Sequence, residues 1–138
     1  MEAKLSIITK QYDENKNTDT MELNAIGKIF EKKDDIYVVY EEIEDGEKIT
    51  TTIKISNDEV SIKKFGTINS LMVFKENYKH ETRYRTNQGL FIIETETSKL
   101  KIDRSEKNYI KLNIEYNINI LDLFKGRNEI NISIEYNI

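Results

Sequence analysis

Cysteine and proline are both absent from the 138-residue sequence, and histidine occurs once, at His80. Without a thiol there is no disulfide, no thiolate nucleophile, no thioether attachment of haem and no sulfur-based zinc site. Metal chemistry would have to combine carboxylates with a single imidazole, and no metal or cofactor is expected. A Ser–His–Asp arrangement would have to centre on His80, and no nucleophile-elbow sequence presents a serine to it. There is no glycine-rich phosphate loop. No apolar run approaches the roughly 18 residues that span a bilayer. The opening "MEAKLSIITK" is charged and alternating, unlike the apolar core of a signal peptide. A cytoplasmic location is the resulting expectation.

The formal charge is −4, with Lys and Arg dispersed among Asp and Glu. A duplex-binding protein concentrates its cations in a stripe, because phosphate neutralisation supplies most of its affinity. An acidic surface gains nothing from an anionic membrane. Neither nucleic acid nor membrane is therefore expected as a partner. The segment "YKHETRYR" interleaves aromatic and basic residues as single-strand binders do, but Glu76 and Glu81 interrupt its field. Isoleucine and asparagine are abundant; so biased an alphabet reflects codon usage as much as function, and asparagine alone carries no argument.

What the sequence has in quantity is period two. In "NYIKLNIEYNINI", Ile110, Leu112, Ile114, Tyr116, Ile118 and Ile120 alternate with Lys111, Asn113, Glu115, Asn117 and Asn119. "NEINISIEYNI" repeats the pattern from Ile130 to Ile138. Successive strand side chains point to opposite faces, so each segment buries one face and wets the other. Similar segments predict strands near Lys4–Tyr12, Met21–Glu31, Ile36–Ile43, Lys48–Ile55, Val60–Phe65, Ile68–Lys75, Tyr78–Thr86, Leu90–Ile102, Tyr109–Ile120 and Glu129–Tyr136. "EDGEK", "SNDE", "KEN", "TNQG" and "RSEKN" between them are turn chemistry. "DENKNTDT" (Asp13–Thr20) reads as a polar loop, and "LDLFKG" (Leu121–Gly126) as one helical turn ending at Gly126. Ten sequential strands with no covering helix must remove their own edges, and closure into a barrel does so. One all-β domain over residues 1–138 is expected, an antiparallel meandering barrel of about eight to ten strands. A two-sheet sandwich is the alternative.

"TTIKI" (Thr51–Ile55), Val60 and Ile62, Gly66, the spacing of Ser70, Met72 and Phe74, then His80, Tyr84, Thr86 and Gly89 follow one another in an order that resembles the YwiB-like bacterial proteins of unknown function. Thr97, Leu100 and "GRNEINISI" (Gly126–Ile134) are similar to that family's late strands. "KKF" before Gly66 departs from it, where an arginine is expected. The resemblance spans nearly the whole chain. It implies a calycin-like, lipocalin-like barrel and no activity.

The most chemically varied stretch is "YKHETRYRTNQG", Tyr78–Gly89. A three-residue hairpin loop with Gly89 at positive φ would set Thr86 opposite Leu90. His80, Thr82 and Tyr84 would then share a face with Glu94 and Glu96, while Arg83 and Arg85 lie on the other. A two-residue loop would shift every partner by one. Glu94 and Glu96 lie on one face about 7 Å apart, a spacing compatible with paired carboxylates but equally with a solvated strand. His80, Thr82, Tyr84, Glu94 and Glu96 are the candidate ligand-binding residues, as a polar patch in or at the mouth of the barrel. The plainer reading is a solvated hairpin held by cross-strand ion pairs, each contributing roughly 0.2–1 kcal/mol.

The functional expectation is a non-enzymatic barrel that binds a small, partly apolar molecule. The alternative is an interaction module with a filled core. "DIYVVYEE" and "INSLMVF" carry apolar residues in both phases, and an outer apolar face suits a homodimer.

Overall fold

Alternation translates directly into strands. The protein, seen in a computed structural model, is described over residues 1–15, 18–66, 69–86, 88–120 and 123–137, with the backbone alone at 84–86. Ten strands run in sequence: β1 (Glu2–Asp13), β2 (Thr18–Lys32), β3 (Asp35–Glu44), β4 (Glu47–Ile55), β5 (Val60–Phe65), β6 (Ser70–Phe74), β7 (Tyr78–Thr86), β8 (Gly89–Asp103), β9 (Tyr109–Ile120) and β10 (Phe124–Tyr136). No helix occurs among the described residues. Asp45 and Gly46 both have positive φ (52° and 78°), as the tightest hairpin turn requires. Asn77 and Asn108 take the left-handed conformation at two further connections, where asparagine is tolerated.

All ten strands form one antiparallel sheet in the order β6-β5-β4-β3-β2-β1-β10-β9-β8-β7. Every neighbour is a hairpin neighbour except one: β1 also pairs with β10, from Ala3 opposite Tyr136 to Asp13 opposite Gly126. The terminal strands therefore lie side by side in mid-sheet. Its two edges, β6 and β7, follow each other in sequence and curl together into a nearly closed barrel. Among the described residues this seam has no ladder. The Thr82 hydroxyl donates to the Leu71 carbonyl across it. Tyr78 N–H to Lys75 C=O (3.0 Å) and Asn77 N–H to Thr97 C=O (2.9 Å) fix the connecting turn.

The apolar phase of each strand faces inward. At the end of the barrel that holds the β2–β3, β4–β5, β6–β7 and β8–β9 turns, Ile36, Ile55, Val60, Phe74, Ile110 and Ile134 are sealed from solvent. Burial of this kind stabilises by about 1.5–3 kcal/mol per large side chain. Tyr37 and Val39, in the opposite phase of β3, are half-buried on the outside, where Tyr37 stacks on Phe30 at 5.2 Å.

β2 and β3 separate midway. They pair only from Lys28 opposite Val39 to Lys32 opposite Asp35, although β2 stays on β1 back to Thr18. The corner is Gly27, where any Cβ would overlap the Val39 carbonyl oxygen. Glycine lets the two backbones touch there before they diverge.

Three local expectations are corrected. Phe124–Gly126 is the start of β10, Phe124 facing Ile120 across the ladder, and not the end of a helical turn; Leu121 and Asp122 lie outside the described residues. The Asp13–Thr20 loop is shorter than expected, because β1 runs to Asp13 and β2 resumes at Thr18. The β7–β8 hairpin has a two-residue loop, with Thr86 opposite Gly89. Gly89 does have positive φ (123°), but the register is shifted by one from a three-residue loop.

Candidate functional site

The shifted register divides the sequence candidates between two faces. His80 is opposite Thr95, Thr82 opposite Ile93, and the Tyr84 backbone opposite Phe91. β8 is clamped on its other side by β9, which settles the phase: Thr95 faces Ile118 and Thr97 faces Tyr116, inside the barrel. Glu94 and Glu96 face Asn119 and Asn117, on the outside. His80 and Thr82 therefore do not share a face with Glu94 and Glu96. The Tyr84 side chain lies outside the described residues. Thr82 is buried, and its oxygen lies 3.1 Å from His80 Nε2 and bonds Leu71 at the seam. Thr95 Oγ1 reaches the His80 carbonyl at 3.4 Å.

The inner face is not uniformly apolar. Toward the end opposite the sealed one, Tyr40, Thr51, Thr95 and Asn128 occupy inward positions and are buried, while Thr97 and Tyr116, whose ring packs on Phe74 at 4.8 Å, are buried inward positions nearer the sealed end. Asn128 Nδ2 donates to the Tyr116 hydroxyl at 3.0 Å. Among the described residues, the Asn128 amide oxygen and the hydroxyls of Thr51 and Thr97 have no hydrogen-bond partner. An unsatisfied buried polar group costs about 1–3 kcal/mol, so these three atoms are places where water or a ligand atom would be stabilising. Burial, the Glu42 charge beside it and, in the other direction, the Thr51 hydroxyl act on the Tyr40 phenol, leaving it pushed up to about 12. Thr51 is near enough to offset part of the rise. Burial raises Tyr116 likewise, partly offset by Asn128. Both phenols are neutral donors and acceptors at physiological pH. Lys64 and Glu42, whose nearest charged atoms are 3.8 Å apart, form a half-buried ion pair at this end.

The inner face reaches solvent where β2 leaves β3. The opening is about 760 Å³ and is lined by Leu5, Leu23 and Ala25 from the inner face and by Glu41, Glu42 and Ile43 on the β3 side. Ile26 (64% exposed) and Ile43 (79%) stand on its rim. The sequence carries a signal for the polar part: Tyr40, Thr51 and Asn128 each interrupt an otherwise apolar inward phase.

Glu94 and Glu96 line a different hollow, of about 510 Å³, on the outer surface of β8, β9, β10 and β1. Lys79 lies between them, 4.0 Å from Glu94 and 3.8 Å from Glu96.

These features define a class: an antiparallel β-barrel with an amphipathic inner face and a lateral opening. The chain belongs to the family described as a domain of unknown function, DUF1934, which it matches over residues 5–132. The crystal structure of the YwiB protein from Bacillus subtilis superposes with a TM-score of 0.87 at 20% sequence identity, covering 99% of this chain and 92% of that one. At that identity the likeness shows the fold. No curated protein matches the sequence. The resemblance read from the ordered motifs and the barrel expected from period two both hold. No helix among the described residues is long and apolar enough to cross a membrane.

Proposed function

We propose that the protein is a non-enzymatic, calycin-like binding barrel, and that it takes a small, partly apolar molecule at the opening between β2 and β3. One observation carries the reading: at that opening the inner-face residues Leu5, Leu23 and Ala25 share a single concave volume with the ion-paired Glu42. Its size falls within the roughly 300–1,000 Å³ of ordinary ligand pockets. The apolar part of the ligand lies against Leu23 and Ala25, and its polar end meets Glu42 and Lys64. Thr51, one strand behind Tyr40, supplies a further unpartnered hydroxyl.

The test is a titration with N-phenyl-1-naphthylamine, an uncharged amphipathic dye that fluoresces on leaving water. Saturable enhancement is expected, and Ala25→Leu, which fills the opening, should weaken it by about tenfold, equivalent to about 1.4 kcal/mol. Equal binding by the wild type and Ala25→Leu, or none by either, refutes the assignment.

A protein-interaction module is the second reading. It is favoured by β2 from Thr18 to Gly27 having no strand partner on its β3 side among the described residues, with Met21 and Ile26 exposed along it. An uncovered strand edge is a template for another chain. A solution mass of twice the monomer that falls on replacing Met21 by lysine supports a homodimer through this edge.

A further inference from the structure

Two walls of the outer hollow carry opposite charge. In one row across five strands, Lys79 is opposite Glu96, Glu96 opposite Asn117, Asn117 opposite Arg127, and Arg127 opposite Tyr12. In the next row Glu94 is opposite Asn119 and Asn119 opposite Lys125. The wall on β8 is thus anionic, with two carboxylates sharing the single ammonium of Lys79. The wall on β10 is cationic, and the floor on β9 is a pair of amides. Asp13 and Glu14 also line the hollow, at its β1 side.

The arrangement is not a closed network of salt bridges. The β8 and β10 backbones are about 10 Å apart, and no ion pair among the described residues spans them. Neither Lys125 nor Arg127 has a carboxylate within ion-pair distance among the described residues. Arg127 instead lies over the Tyr12 ring, 4.8 Å from its centroid. A cation–π contact of that kind holds the guanidinium in place while its N–H edge stays available to an oxyanion. Asn117 and Asn119 offer donors and acceptors between the two walls.

We propose that this hollow is a second binding site, distinct from the opening between β2 and β3, and that it takes a small zwitterion. The ligand's carboxylate or other oxyanion sits at Arg127 and Lys125. Its ammonium sits at Glu94 and Glu96, and the chain between them lies over Asn117 and Asn119. A ligand with one charge satisfies one wall and leaves the other as it was, so recognition depends on both charges and on their separation.

6-Aminohexanoate, whose two charges stand several ångströms apart on a flexible chain, is the probe, followed by amide chemical shifts of the ¹⁵N-labelled protein. Saturable shifts confined to β8, β9, β10 and the end of β1 are expected. Hexanoate and hexylammonium should each bind at least about tenfold more weakly. Arg127→Gln and Glu96→Gln, both at exposed positions, should each cost a similar factor while the remaining amide spectrum stays unchanged. Ala25→Leu should have no effect, which separates this site from the inner one. The proposal is overturned by the absence of saturable shifts, by hexanoate binding as well as the zwitterion, or by loss of binding in only one of the two charge variants.

Discussion

Replacing Gly27 by alanine tests the physical account of the β2–β3 corner. The added methyl group would overlap the Val39 carbonyl oxygen and come within 3.1 Å of Tyr40 Cβ and 3.2 Å of the Val39 carbonyl carbon. Two of those three neighbours are backbone, so no side chain can swing away to make room. The strain must be relieved by moving β2 from β3 at the last rungs of their ladder. Gly27 has no left-handed conformation that would add a second penalty, so the effect is steric. Overpacking of a tight contact costs about 1–3 kcal/mol. Unfolding entropy scales at about 2.1 cal/mol/K per residue, so each kcal/mol lowers the melting temperature of a chain this long by about 3.5 °C. Gly27→Ala should therefore melt roughly 3–10 °C below the wild type by circular dichroism. Amide exchange should quicken at Lys28 and Val39, which face each other at the corner. A melting temperature within about 1 °C of wild type would show that the corner has room to spare, and the explanation for the opening would fail.

Two further predictions concern buried polar groups. An unfolded tyrosine ionises near 10, whereas folded Tyr40 resists to about 12. Its contribution is thus fully present below pH 10 and is lost as pH rises through 12, amounting to about 3 kcal/mol at the alkaline limit. Urea unfolding at about pH 9 and pH 11.5 should show a smaller decline in Tyr40→Phe than in wild type; equal declines would count against a buried neutral phenol. At the seam, Thr82→Val removes the hydroxyl that bonds Leu71 while keeping its volume, and should cost about 1 kcal/mol with faster exchange along β6. If stability and exchange are both unchanged, the seam is held by packing alone.

Period two made the strands legible because burial on one face leaves a residue-by-residue trace, and Ile110–Ile120 and Ile130–Tyr136 carry it almost without interruption. Closure was legible from the lack of any helix to cover a sheet. The register of β7 on β8 was not. A loop of two residues and a loop of three both accept Gly89 at positive φ, and the choice is made by β9, whose Tyr116 and Ile118 draw Thr97 and Thr95 inward. That information lies about 20 residues away in sequence. For the same reason the sequence alone sets His80 and Thr82 beside Glu94 and Glu96, from which the barrel wall divides them. The opening between β2 and β3 left no periodic signal either, since Gly27 is one small residue in an alternating strand. Its role depends on the position of the Val39 carbonyl. Lys125, Arg127 and Tyr12 come together only through the pairing of β10 with β1, the one ladder that hairpin order does not supply.

The pairing of β1 with β10 has a mechanical consequence. The strands are antiparallel, and Ala3 faces Tyr136, so both ends of the fold leave from the same end of a single ladder. Tension applied there does not load the rungs together. It peels them one after another, beginning at Ala3 and Tyr136 and travelling toward Asp13 and Gly126. Such a zipper yields at low force whatever the heat resistance of the sealed core beneath it. Pulled in an optical trap by its ends, the barrel should part down the middle of its sheet, and because both halves share one core, the rest should unfold in the same step.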